Sequence, residues 1–272
     1  MALADRLDGL LVDLDGVVWI GREPVPGSAE ALRALLGDGK GVVFVTNNPG
    51  KPPAAYAERL RELGVEVGPE QVVTAGMVAA RLAGEAADGG SAFVIGAAPL
   101  REMVAATETR LLDGEEAYGA DAVVVSGHRG FDYEELLAAK RALDAGAAFV
   151  ATSRDPTMPY PGGELPGTGS ILAAVETATG RRAEIAGKPE RHLFEMAIQQ
   201  LRGSLRSESD RKEPRNLRLA MVGDRVSSDI AGGHAAGLET ILVLSGTTSR
   251  EEAAAADPAP DFVLEDLSGL LA

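Results

Sequence analysis

The chain has 272 residues, and its 26 Lys and Arg against 41 Asp and Glu give a formal charge of −15, which repels nucleic acid and anionic membranes unless a local basic patch overrides it. It contains no cysteine, so disulfides, thiolate catalysis and zinc–thiolate sites are excluded. No apolar run approaches the roughly eighteen residues of a membrane span, and the stretch from Met1 to Arg6 lacks the pattern of a signal peptide, so a cytoplasmic location is expected.

The first element is a brief apolar run, Gly9 to Val12, that reads as a strand buried on both faces. It runs into Asp13-Leu14-Asp15-Gly16, two carboxylates at spacing i, i+2, which extended backbone would turn to one side. Two like charges that close need a counter-charge, and a hard cation with oxygen ligands, usually Mg²⁺, would supply it. A calcium loop would need further oxygen ligands and a Glu about twelve positions along; here Val17-Val18-Trp19-Ile20 follows instead.

A turn-rich segment, Gly21 to Gly27, leads to a helix expected to begin with Ser28 as its N-cap and to stop in the Gly37–Gly39 region. Gly41 to Thr46 is a second buried strand ending in Thr46-Asn47-Asn48, and Pro52 opens a helix with Tyr56, Leu60 and Leu63 on one face and Gly64 as its stop. Strands alternating with helices imply βαβ units and a parallel sheet. The middle of the chain repeats the alternation with strands at residues 92–96, 121–126 and 147–151 and a helix over 131–143. A Pro- and Gly-rich stretch, Arg154 to Gly169, reads as a loop before a helix bearing Ile171, Val175 and Ala178. Phe194, Ala197, Ile198 and Leu201 form a further helical stripe, and Gly203 to Asn216 reads as a solvated polar loop. Strands are then expected at 217–222, ending in Gly223-Asp224, at 240–244 and at 262–264.

Three strand ends therefore carry polar residues: Asp13 with Asp15, Thr46 with Asn47, and Asp224. In an open parallel sheet, ligands bind outside the carboxyl ends of the strands. In Gly187-Lys188-Pro189, a Pro at the first helical position would put Lys188 at a helix N-terminus, where the helix dipole favours anions. A bound phosphate would resolve that conflict.

Taken in order, Asp13-Leu14-Asp15-Gly16, Thr46-Asn47-Asn48, Gly187-Lys188-Pro189 and Gly223-Asp224-Arg225-Val226-Ser227-Ser228-Asp229 resemble the four motifs of the haloacid dehalogenase (HAD) superfamily. The resemblance is to the type IIA phosphatases in particular, which act on nucleotides, p-nitrophenyl phosphate, phosphoglycolate, glycerol 3-phosphate and pyridoxal phosphate. The stretch Pro166 to Thr177 is also similar to that subgroup. Thirty residues, 16–45, separate the first two motifs, and 139 residues, 49–187, separate the second and third. Only the second gap has room for an inserted domain of about 100 residues. The expected fold is thus α/β: a Rossmann-like parallel-sheet core formed by residues 1–76 and 184–272, with an inserted α/β type II (C2) cap at 77–183.

The resemblance implies a role for each residue. Asp13 would attack phosphorus and become an aspartyl-phosphate; Asp15 would protonate the leaving oxygen and then activate water. Mg²⁺ would be held by Asp13, Asp224 and the backbone carbonyl of Asp15. Thr46 and the Asn47 N–H would bind phosphate oxygens, Lys188 would balance their charge, and Asp229 would orient Lys188 or water on the metal. Asp155, in Thr152-Ser153-Arg154-Asp155-Pro156, is expected to contact substrate, although Ser153 stands where the family usually has Asn. Pyridoxal phosphate phosphatases have His at the position of Met158, which argues against that substrate. His192 and His234 are expected on helix surfaces, and His128 is a candidate to face substrate.

The expected activity is Mg²⁺-dependent hydrolysis of a small phosphorylated metabolite, with no nucleic acid or membrane partner, and a homodimer through the cap is a further expectation. Phosphatases of nucleotides or pyridoxal phosphate remain alternatives, as does phosphoryl transfer to another acceptor. A signalling receiver domain needs only about 120 residues and carries its phosphorylated Asp on an internal strand. A HAD-fold binding protein without activity would be expected to lack one of Asp13, Asp15, Lys188 or Asp224, and all four are present.

Overall fold

The computed structural model describes residues 2–160, 163–205 and 217–272. The chain forms two compact units, one of Met1–Thr46, Pro53–Val73 and Lys188–Ala272, the other of Asn47–Pro52 and Thr74–Gly187.

The first unit is built on a six-stranded sheet with the order Phe262–Leu264, Glu239–Val243, Leu219–Gly223, Gly9–Asp13, Gly41–Thr46, Val72–Thr74. Gly9–Asp13 lies in its interior, parallel to both neighbours, with Gly9 opposite Leu219 on one side and Gly41 on the other. All five of its residues are buried, as expected of a parallel strand covered on both faces. The helix Ser28–Gly37 covers the sheet with Ala31, Leu32 and Leu35, Pro53–Glu62 with Tyr56, Ala57 and Leu60, and Arg191–Leu205 with Leu193, Phe194, Ala197 and Leu201.

The second unit has a sheet of its own, in the order Glu184–Ile185, Ala148–Ala151, Ala122–Val125, Ser91–Ile95, Arg110–Leu111, with all pairings parallel. Its core gathers Phe93, Ile95, Val123, Val125, Phe149 and Leu172, among others. Residues 184–185, expected to begin the returning core, add a strand beside Val150 and Ala151 in this sheet.

Four local expectations are corrected. Ser28 does not cap its helix: Gly27 is the N-cap, at φ 79°, and the Ser28 hydroxyl donates instead to the carbonyls of Val25 and Val18. The helix after Lys188 starts at Arg191, so Lys188 lies in a turn before it. Within 154–169, Thr157–Tyr160 and Gly163–Pro166 pair as an antiparallel hairpin, hidden from composition by its Pro and Gly content. Of the expected polar loop 203–216, residues 203–205 continue the preceding helix, and 206–216 lie outside the described residues.

Phe44, fully buried beside the central strand with Val12 as its register partner, tests this core. Phe44→Ala is expected to lower unfolding free energy by about 3–5 kcal/mol, read from the midpoint and slope of urea denaturation.

Candidate active site

The carboxyl end of the central strand is where the chemistry gathers. Asp13, its last residue, is 7% exposed, and Lys188 is 4% exposed. The Lys188 ammonium donates to Asp13 Oδ1 at 2.7 Å and to Asp229 Oδ1 at 2.6 Å. Asp229 is fully buried, and its second oxygen accepts the Arg225 backbone N–H at 3.0 Å. Both oxygens of Asp229 are thereby committed to holding Lys188 and the turn at 225. The anion that balances Lys188 here is a pair of protein carboxylates, where the sequence pointed to a bound phosphate.

Asp224 follows the strand Leu219–Gly223. One carboxylate oxygen, Oδ2, accepts the Thr247 N–H at 2.7 Å, while Oδ1 is buried without a hydrogen-bond partner. An orphaned buried carboxylate oxygen is costly. Two glycines allow Asp224 to sit where it does: a Cβ at Gly16, where φ is +91°, or at Gly246 would overlap its carboxylate. The Ser245 hydroxyl donates to the Gly16 carbonyl at 2.8 Å, tying that loop to the first motif. Ser245, Gly246 and Thr247 were not singled out in the sequence; the signal was a Gly-Thr-Thr run just past the strand Glu239–Val243.

Electrostatics follow from burial. Removal from water pushes the Asp13 carboxyl well above the usual range, with the charges of Asp229 and Asp224 adding to this and Lys188 opposing it. Asp224 is raised by burial and by Asp229. Burial alone would depress Lys188, but the Asp13 and Asp229 carboxylates outweigh it and hold the ammonium above its ordinary value.

This donor set fits a divalent cation. Oxygens of Asp13, Asp224 and Asp229 lie within 4.8 Å of one another. With one ammonium among three carboxylates, the ionised cluster retains two negative charges, and Asp224 Oδ1 lacks a partner. A hard dication with oxygen ligands matches both needs. Asp13 and Asp224 are the ligands with oxygens to give, whereas Asp229 is engaged by Lys188 and Arg225.

The remaining expected residues are distributed as follows. Asp15 lies past the strand end in a tight turn, half-buried, with the Trp19 indole N–H donating to its Oδ1 at 2.9 Å. Thr46 is buried one residue beyond Val45, the register partner of Asp13. Asn47 belongs to the second unit, where its side-chain amide donates to Asp155 Oδ2 at 3.1 Å. Ser153 is buried, and its hydroxyl accepts the Asp155 N–H at 3.3 Å. His128 meets Glu135 at 2.9 Å, Met158 is partly exposed on the hairpin, His192 is half-buried and His234 is exposed.

Two outcomes test this geometry. Gly246→Ala is expected to push the Asp224 side chain aside, raising the divalent cation concentration needed for half-saturation by about 10- to 100-fold and lowering the thermal unfolding midpoint. Because the Asp13 and Asp224 carboxyls are raised in the metal-free site, a cation there competes with protons as the pH falls. Its dissociation constant should therefore rise on acidification, by about tenfold per pH unit for each proton displaced, as read by calorimetric Mg²⁺ titration at several pH values.

Comparison with known proteins agrees with this picture. Residues 10–110 match the haloacid dehalogenase-like hydrolase family, and residues 185–270 match a HAD-hydrolase-like family. The chain is 37% identical to a D-glycerol 3-phosphate phosphatase of Mycobacterium tuberculosis over 99% of its length and 72% of that protein. It is also 37% identical to mouse chronophin, over 99% of this chain and 95% of that one. Among solved structures, a glycerol phosphate phosphatase from M. tuberculosis in complex with magnesium superposes with a TM-score of 0.86 at 37% identity, covering 99% of this chain and 78% of that one. A p-nitrophenyl phosphatase from Archaeoglobus fulgidus superposes with a TM-score of 0.85 at 30% identity, over 97% of this chain and 98% of that one. The chain belongs to the haloacid dehalogenase-like hydrolases, in their phosphatase branch.

Proposed function

We propose that the chain hydrolyses a small alkyl phosphomonoester, with glycerol 3-phosphate the leading candidate, through a phosphate ester formed on Asp13. The observation that carries this reading is the buried Lys188 bridge between Asp13 and Asp229, beside an Asp224 carboxylate with one bare oxygen. The substrate choice is supported by the activity named for the M. tuberculosis relative.

In this reading Asp13 is the nucleophile. Lys188, bonded to Oδ1, orients this carboxylate for attack on phosphorus. As the new bond forms, the bond from phosphorus to the ester oxygen breaks, and Asp15 gives that oxygen its proton, releasing the alcohol. Asp15, now a carboxylate, takes a proton from water, which attacks phosphorus and frees Asp13 and inorganic phosphate. Thr46, at the end of the neighbouring strand, and the Asn47 N–H donate to phosphate oxygens. Asp229 keeps Lys188 charged and in place. Mg²⁺, held by Asp13, Asp224 and the Asp15 carbonyl, supplies neutralisation of charge on the transferring phosphoryl group.

The unit inserted between the second and third motifs is assigned the selection of substrate, with residues 77–183 as the cap and Asp155 as its contact. Pairing of two copies through that unit belongs to the same reading, and a monomer in analytical ultracentrifugation would remove it. Among the described residues no helix is long and apolar enough to cross a membrane; we place the enzyme in the cytoplasm, where small phosphoesters and Mg²⁺ are abundant.

Phosphate release screened over glycerol 3-phosphate, phosphoglycolate, sugar phosphates, nucleoside monophosphates and pyridoxal phosphate is the direct test, with the highest kcat/KM expected for glycerol 3-phosphate. Chelation should abolish turnover and Mg²⁺ should restore it. Asp13→Asn should form no phosphoenzyme. Asp15→Asn should lose about 10²–10⁴-fold on alkyl esters, and rapid acid quench with mass spectrometry should show phosphate accumulating on the peptide containing Asp13. A phosphoenzyme that still forms in Asp13→Asn, carried on the Asp15 carboxylate, would exchange the two roles.

A further inference from the structure

Outside the charged cluster, one arrangement in the first unit is built around a site residue yet has no part in the steps above. Trp19, the only tryptophan of the chain, is fully buried. It is the last residue of a turn closed by two backbone hydrogen bonds, from the Trp19 N–H to the Leu14 carbonyl at 3.3 Å and from the Gly16 N–H to the Trp19 carbonyl at 2.7 Å. That closure aims its indole N–H at Asp15 Oδ1, 2.9 Å away. The Arg59 guanidinium, from the helix Pro53–Glu62, lies over the indole face with its carbon 3.9 Å from the ring centroid. Arg59 is anchored in turn by a 2.7 Å hydrogen bond to the Gly21 carbonyl, just past Trp19. A cation stacked on one face and a hydrogen bond at the edge together restrain the ring in position and tilt.

We propose that the Trp19–Arg59 stack is a positioning device that designates Asp15 Oδ2 as the proton-carrying oxygen. The argument rests on what an indole can do. Its N–H donates and cannot accept, and the carbonyl oxygen of a carboxylic acid is a better acceptor than its hydroxyl oxygen, so this hydrogen bond favours Oδ1 as the carbonyl oxygen. The proton of neutral Asp15 is therefore favoured on Oδ2. In the forward step the O–H bond at Oδ2 breaks, its proton goes to the ester oxygen, and the electron pair of the departing phosphorus–oxygen bond stays on that oxygen. In the return step the same Oδ2 takes a proton from water. Trp19 and Arg59 touch no reacting atom; they hold the carboxyl so that one oxygen serves both transfers. The proposal rests on the acid–base role given to Asp15.

The test compares two leaving groups: glycerol 3-phosphate, which needs a proton to depart, and p-nitrophenyl phosphate, which hardly does. Trp19→Phe keeps an aromatic ring for Arg59 and removes the N–H together with the rest of the five-membered ring. It is expected to lower kcat for glycerol 3-phosphate by about tenfold or more, with a loss for p-nitrophenyl phosphate at least about threefold smaller, and with KM for both little changed. Arg59→Met, which keeps the apolar stem, should show the same selective pattern at smaller size. Equal losses on both substrates in these variants would overturn the proposal, since a merely structural role weakens every substrate alike. Asp15→Asn is measured alongside. If it discriminates between the leaving groups and Trp19→Phe does not, the positioning proposal fails while the acid–base role stands; if Asp15→Asn does not discriminate, it is the role of Asp15 that fails. Fluorescence supplies a reading independent of turnover, because all indole emission comes from Trp19. Asp15→Ala and Arg59→Met should each change its intensity or maximum in folded protein, and emission identical to wild type in both would also overturn the proposal.

Discussion

The ammonium of Lys188, shared between Asp13 and Asp229 inside the protein, is the interaction on which the rest of the site depends. Lys188 opposes the rise that burial imposes on the Asp13 carboxyl, and the ammonium could not be buried without its two acidic partners. Such a cluster does not stabilise the fold by itself, because desolvation offsets much of the attraction. The apolar strands around it carry that burden: Leu10, Leu11, Val12, Ala220, Met221 and Val222 are all fully buried on the two strands that deliver Asp13 and Asp224.

Around that bridge, backbone amides and turns do most of the positioning. The Arg225 N–H holds Asp229, the Thr247 N–H holds Asp224, and the closed turn at 14–19 holds Asp15. Main-chain donors at strand ends have little freedom to reorganise, which is the property required of a site where charge moves between oxygens. Asp224 keeps one oxygen outside this scheme, as the proposed role of cation ligand requires.

The parts visible in the sequence were those with a local cause. A parallel strand buried on both faces is a continuous apolar run, so Gly9–Asp13, Gly41–Thr46 and Leu219–Gly223 stood out together with the polar residues that end them. The helical stripe of Phe194, Ala197, Ile198 and Leu201 did so too, with Ile198 only half-buried and Leu193 buried beside it. What stayed hidden depended on where other segments arrive. Ser28 has the chemistry of an N-cap, but two carbonyls from residues 18 and 25 compete for its hydroxyl. Lys188 reaches Asp13, 175 positions away, through tertiary approach; its contact with Asp229 was expected from the family resemblance alone. Arg59 finds the face of Trp19 through tertiary approach of a helix to a turn. No periodicity encodes Thr247 as a partner of Asp224.

The first unit is assembled from three stretches of chain, with its central strand paired to Gly41–Thr46 on one side and to Leu219–Gly223 on the other. On the ribosome this imposes an order. Asp13 is translated 175 residues ahead of Lys188, an interval of about 10–35 s at ordinary elongation rates. The second unit draws all its sheet strands from the stretch between, so its pairings can be complete while Asp13 still waits for its counter-ion. A nascent or prematurely terminated chain that stops before residue 224 therefore lacks the buried cluster of Asp13, Lys188, Asp224 and Asp229, which comes together only after both later stretches have been made.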